Sequence, residues 1–307
     1  MKRVLLSFTA LILCVAFAAT TVDAAEKIAL SKYPNVKVGF TTWNFSKQMP
    51  VNLANAKKWV DFAVDNGFPW LELRDPTASL TLAECKEIAT YAKQRNIEVI
   101  YAVAVGVLDA NFWEVFSRAV ANADQFDGPR IVRTALSGQE FAPNPKKTTW
   151  TLAEMARIVR VADRAANAAK MRGLQHVVEN STPSLKGDGA TSFGTTEFFA
   201  NAGSNVGWQI DVANFFVTQR VPAKPDEARA FLEKHAPKLF YAHIKTATAD
   251  NKTAIVLGAN PLPFDAVFQA ISKNKTPYVA MELPQPNSLE ELYANTKKSV
   301  DYLRQNY

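Results

Sequence analysis

The feature that most constrains this chain is an alternation that runs eight times along it, a short β-branched or aromatic run followed by a longer stretch of helical periodicity. Strands are expected at 38–43, 70–74, 98–102, 131–135, 174–179, 207–211, 239–244 and 278–283. Helices are expected near 51–66, 80–95, 110–124, 150–172, 194–203, 225–236, 263–274 and 288–305. Within 150–172, Leu152, Met155, Ile158, Val159 and Ala162 recur every three or four residues and form one apolar stripe. Leu289, Leu292, Thr296, Val300 and Leu303 do the same in the last helix. Strands that are apolar almost throughout have both faces buried, which implies a parallel sheet covered by helices. Eight such units predict an α/β fold with a single (β/α)8 TIM barrel, whose usual size is about 250 residues. An open doubly wound sheet is the rival architecture. It would want a glycine-rich phosphate turn after the first strand, where Gly39-Phe40-Thr41-Thr42-Trp43 offers one glycine.

Lys2 and Arg3 precede an apolar run over residues 4–19, and Val22-Asp23-Ala24 supplies a peptidase site before Ala25. Residues 1–24 therefore read as a signal peptide and 25–307 as the barrel, in a periplasmic or secreted protein. That run is short for a membrane span and no later segment reaches about 20 apolar residues, so no stable membrane insertion is expected. Leu13 precedes Cys14, which disfavours lipidation, and the mature chain keeps Cys85 alone, read as a buried apolar residue. The 35 basic and 29 acidic residues are scattered with no Lys/Arg block, so no nucleic-acid partner is expected. Residues 181–192 (STPSLKGDGATS) read as a loop over the barrel mouth and not as a domain boundary.

The C-terminal ends of barrel strands converge on one face. Four ends carry metal-ligand chemistry: Val177-Val178-Glu179-Asn180, Gln209-Ile210-Asp211, Tyr241-Ala242-His243-Ile244-Lys245 and Ala280-Met281-Glu282-Leu283-Pro284. Each ionisable group follows an apolar run, and a buried carboxylate is costly unless it is paired or bound to a cation. Glu179, Asp211, His243 and Glu282 are thus expected to hold one divalent cation, Mn, Mg, Co or Zn, because three oxygens and one nitrogen make a hard donor set. His176 falls on the other strand face from Glu179 and reads as packed under a helix, and His235 reads as a surface helix residue. Trp43, Glu72, Asn180 and Lys245 are candidate substrate-binding residues. Trp43 could stack on a bound ring, Lys245 could hold an oxyanion, and Glu72 reads chiefly as a residue that supports the ligands from behind or as a barrel ion-pair partner. Arg133 is expected near the mouth, and the loop after the fifth strand places Asn180 and Lys186 near the metal.

The order Glu179, Asp211, His243, Glu282, with gaps of 32, 32 and 39 residues, together with Val38-Gly39-Phe40, Trp70-Leu71-Glu72-Leu73 and Met281-Glu282, resembles the xylose-isomerase-like barrel superfamily of sugar isomerases and epimerases. The resemblance covers essentially the whole mature chain. It implies that the four residues bind one cation and that Glu179 and Glu282 also act as acid/base catalysts at a carbon next to a carbonyl. It further implies a sugar or glycoside substrate; self-association into a homo-oligomer is left open. The chain departs from the family's epimerases, with Asn214 in place of a histidine and with Thr246 and Ala249 in place of an acid and an arginine that grip the sugar. Those departures fit a larger glycoside, so a 3-keto-glycoside lyase using the same proton abstraction is the alternative. Three histidines cannot build the trinuclear zinc site of the sister DNA-repair endonucleases. A metal-independent glycosidase and a non-catalytic sugar-binding barrel are the remaining rivals.

Overall fold

The computed structural model describes residues 25–136, 149–180, 194–215, 225–245, 256–258 and 262–307. Strands β1 (Lys37–Thr41), β2 (Trp70–Arg74), β3 (Glu98–Gly106), β4 (Ile131–Ala135), β5 (Gln175–Glu179), β6 (Val206–Asp211), β7 (Leu239–Ile244) and β8 (Tyr278–Met281) pair in parallel, in chain order, as a closed barrel. The β1–β8 pairing, from Lys37↔Tyr278 to Phe40↔Met281, closes it. Helices α1 (Leu53–Asp65), α2 (Leu82–Gln94), α3 (Phe112–Ala123), α4 (Leu152–Lys170), α5 (Thr195–Asn201), α6 (Pro225–His235), α7 (Phe264–Ser272) and α8 (Leu289–Asn306) alternate with the strands. The expected α/β architecture, a single (β/α)8 barrel, is the one observed.

Local chemistry starts the helices where the sequence periodicity begins. Thr81 with Glu84 and Thr151 with Glu154 form capping boxes on α2 and α4, and Ser288 and Asn52 accept the first free N–H groups of α8 and α1. Apolar stripes then pack outside the sheet, where Phe40 meets Phe62 edge-on at 5.1 Å and Phe199 stacks on Trp208 at 4.3 Å. A second apolar cluster fills the barrel interior: Trp70, Ile100, Ile131, Val177, Tyr241, Tyr278 and Ala280. Gly39 is required there, because a Cβ would lie 2.5 Å from the Trp70 ring. Beneath this layer Lys37 bonds Glu98 at 2.9 Å and Tyr278 at 3.2 Å. With the floor so filled, polar side chains higher in the barrel can meet ligands only from the C-terminal mouth.

Several boundaries move for local reasons. β1 ends at Thr41 and the chain enters a 3-10 turn over Thr42–Phe45, because Thr41 Oγ1 accepts from Trp43 N and Thr42 Oγ1 accepts from Arg74 N. Trp43 therefore lies beyond the strand. β8 stops at Met281, yet Glu282 N still donates to Ile244 O at 3.0 Å, which holds Glu282 in line with the barrel. His235 corrects an expectation: it is buried, not on the surface, with its ring 4.5 Å from Phe231 and 5.6 Å from Trp208. The four-residue spacing from Phe231 puts both on the inner helix face, and burial lowers the imidazole's proton affinity. His176 packs under the helices, its Nε2 2.9 Å from Thr134 Oγ1 and its ring 5.1 Å from Phe116; burial pushes its pKa down to about 4. Residues 1–24, the 181–192 loop with Lys186, and the positions of Thr246 and Ala249 lie outside the described residues.

Candidate functional site

Strand alternation turns Glu179, Asp211 and His243 into the barrel, and register lines Asp211 up with His243 across β6 and β7. Glu282 arrives beside them from the end of β8, where Ala280 pairs with His243. Glu179, Asp211, His243 and Glu282 each offer one ligand atom, and these atoms lie within 4.8 Å of one another, all four residues being buried. Residues from four consecutive strands thus make one ring at the mouth.

The ring rests on a polar layer. Glu72, wholly buried on β2, accepts from Thr41 Oγ1, Tyr241 OH and His243 Nε2, each at 2.8 Å. The other imidazole nitrogen, Nδ1, lies 2.7 Å from Glu282 Oε2. Burial opposes charge on His243, but the Glu72 carboxylate and the two hydrogen bonds override it and raise its pKa to about 10. Burial likewise opposes a charge on Glu72, and the His243 and Arg133 cations hold its carboxyl well below the ordinary range nonetheless. Arg133, fully buried on β4, pairs with Glu179 and donates to Gln209 Oε1 at 2.8 Å and Val103 O at 3.1 Å. Lys245 Nζ lies 2.8 Å from Asp211 Oδ2 and 2.9 Å from Glu282 Oε1. Burial pushes the Asp211 carboxyl up to about 6 against the pull of Lys245, whereas Lys245 and His243 outweigh burial at Glu282 and hold it well below its usual value.

The donor set fits a hard divalent cation. Three carboxylates and one imidazole converge in a buried pocket, and one ammonium, Lys245 at 2.8 Å from Asp211 Oδ2 and 2.9 Å from Glu282 Oε1, is set against them, so anionic oxygens crowd at one point in the way a divalent cation would relieve. His243 Nε2 is held by Glu72, so Nδ1 is the nitrogen left to face a metal, with Glu72 fixing the ring plane from behind as carboxylates commonly do for metal-bound histidines.

The other candidates separate by depth. Lys245 is in the ring. Glu72 is not at the substrate surface: both of its oxygens are engaged below the mouth, which makes it a support for His243. Asn180 is also fully buried, its Oδ1 accepting from Trp208 Nε1 at 2.9 Å and Asp211 N at 2.8 Å, so it braces β5 against β6 and positions Asp211. Arg133, expected at the mouth, lies inside the barrel instead, because it shares a strand face with the interior residue Ile131. Trp43 is half-buried and carries the Arg74 guanidinium over its ring at 4.3 Å. Sequence reasoning passed over Arg74, Gln209, Tyr241 and Thr41. Period-two alternation from Glu72 was the signal that could have found Arg74.

Comparison with known proteins gives the same architecture. The family described as xylose isomerase-like TIM barrel matches residues 60–306. No curated protein matches the chain. Among solved structures, a sugar phosphate isomerase/epimerase from Parabacteroides distasonis aligns with TM-score 0.64 at 13% identity, over 88% of this chain and 96% of that one. A D-psicose 3-epimerase solved in the presence of D-fructose aligns with TM-score 0.64 at 16% identity, over 88% and 98% of the two chains. A xylose isomerase-like TIM barrel protein from Mycobacterium smegmatis, in complex with magnesium, gives TM-score 0.64 at 17% identity over 88% and 97%.

Proposed function

Because the chain belongs to the xylose isomerase-like TIM barrel family, we infer that it is a divalent-metal-dependent sugar isomerase or epimerase. The observation that carries this reading is the buried ring of Glu179, Asp211, His243 and Glu282. A cation held by these four would polarise a sugar carbonyl and its neighbouring hydroxyl and so acidify the adjacent C–H. Glu282, 2.9 Å from the Lys245 ammonium, is held as a carboxylate that can take that proton. In isomerisation Glu282 would return the same proton to the next carbon; in epimerisation it would lose that proton to solvent while a solvent proton reached the other face through Glu179, which Arg133 fixes on the opposite side of the ring. Lys245, at the rim of the ring, steadies the enediolate oxygen. Residues 1–24 act as a signal peptide that exports the barrel.

A second reading is supported by Asn214, which stands where the family's epimerases carry a histidine and whose backbone N–H is spent on Asp211 Oδ1 at 2.8 Å. With that grip changed, the same proton abstraction next to a 3-keto group would expel a glycosidic oxygen from the neighbouring carbon. The experiment is metal analysis of the purified protein followed by a panel of ketoses, aldoses and 3-keto glycosides in D2O. Deuterium gained beside a carbonyl supports the isomerase or epimerase, and release of the glycosidic alcohol supports the lyase. Both depend on metal and are lost in Glu282→Gln. Sugar binding with no exchange and no release would leave a binding protein, and full activity without metal would leave a glycosidase.

A further inference from the structure

The barrel's inner face carries more cations than the ring accounts for. Trp70 belongs to the interior cluster, so the alternation of β2 turns Glu72 and Arg74 to the same side, with Arg74 uppermost. Lys37 bonds Glu98 and Tyr278, Arg133 bonds Glu179 and Gln209, and Lys245 bonds Asp211 and Glu282. Arg74 differs. Among the described residues nothing accepts a hydrogen bond from its guanidinium, and its Nε is buried without a partner. Two residues beyond Glu72 on the same face, at the last position of β2, Arg74 stands one step above the Glu72 carboxylate that supports His243, on the mouth side.

A guanidinium partly withdrawn from water and left unpaired is unfavourable. Here the group sits over the Trp43 ring, its Cζ 4.3 Å from the centroid, a cation–π contact that positions the guanidinium without using its N–H donors. A planar fork beside a reaction centre matches the paired oxygens of a carboxylate or phosphate. The geometry points to Arg74, on its Trp43 platform, as the residue that selects an anionic sugar, either a sugar acid or a sugar phosphate, and sets its charged end on the β1–β2 side while the reacting carbon lies over the ring. This assignment rests on reading the ring as the reaction centre.

The test uses the full mature chain loaded with Mn²⁺, titrated with inorganic phosphate, D-glucuronate and D-glucose and followed by calorimetry and tryptophan fluorescence. Wild-type protein should bind at least one anion on the order of tenfold or more tighter than glucose. Arg74→Met, which keeps the aliphatic stem, should weaken anion binding on the order of 10- to 100-fold, the loss of one bidentate charge-assisted pair, with glucose binding, metal content and melting temperature unchanged. Arg74→Lys should fall between, and it serves as the test if the Met variant does not fold. Phosphate binding without glucuronate binding indicates a phosphate ester, and the reverse a sugar acid. Anion binding unaffected in Arg74→Met, or glucose bound as tightly as both anions, overturns the assignment. Metal content separates the two claims: protein that binds no metal but retains Arg74-dependent anion binding refutes the ring and not Arg74.

Discussion

Replacing Glu72 with Gln tests the support beneath the ring without changing its shape. Glu72 has no solvent exposure and receives three hydrogen bonds of 2.8 Å, from Thr41, Tyr241 and His243. The amide retains one acceptor oxygen and presents an NH2 where a donor now points, while the charge facing His243 disappears. Removing one partner of a buried pair costs about 3–5 kcal/mol, and because the hydroxyls of Thr41 and Tyr241 can rotate, the expected loss is about 3 kcal/mol. Its pH profile is the sharper readout. In metal-free protein His243 is raised from 6.5 to about 10, so its contribution to stability is complete below about 6.5 and is lost as pH rises through about 10. Glu72, lowered from 4.5, contributes above that value and is lost in acid. The destabilisation by Glu72→Gln should therefore be largest near pH 5–6.5 and shrink steadily toward pH 10. Urea unfolding of chelator-treated protein at pH 6, 8 and 10, with imidazole NMR of His243, measures both effects. A penalty independent of pH, or a His243 titration identical to wild type, would refute the coupling.

Metal uptake should carry a proton signature of its own. His243 must lose the proton on Nδ1 to coordinate, so affinity for Mn²⁺ is expected to rise about tenfold per pH unit between about 6 and 10, steepening below 6 where Asp211 must also ionise. Calorimetry in two buffers of different ionisation enthalpy counts the released protons, and uptake with no proton release at pH 7–9 would contradict the scheme. Gly39→Ala should cost about 1–3 kcal/mol by forcing the Trp70 ring from its bond to Lys37 O, read as a lower denaturation midpoint. Cys85, buried and with its thiol pushed up to about 12 chiefly by desolvation, should resist alkylation in folded protein and react only on unfolding; rapid labelling under native conditions would count against that placement.

The barrel and its ring of four were readable from the chain because both depend on local pattern. Apolar strands of fixed period, apolar helical stripes and capping residues are properties of neighbouring positions, and an ionisable residue closing an apolar strand marks the mouth wherever the strands converge. The polar layer below was not readable in this way. Glu72 and His243 are 171 residues apart, and whether a strand residue supports a ligand or meets a substrate depends on its height in the barrel. That height follows from the register of eight strands at once, a property no single segment carries. For the same reason Asn180 and Arg133 changed roles: one residue along the strand axis moves a side chain about 3.3 Å, enough to take a polar group from the mouth into the interior. His235 reads as a surface residue from its own segment because the Trp208 ring that helps to bury it, together with Phe231, comes from β6 and not from the helix. Covalent order thus determined which elements form and in what sequence, with their ends set by local hydrogen bonds such as that of Thr41. Closure of the barrel decided which residues face one another, because contacts across it join positions whose only relation is a shared height on different strands.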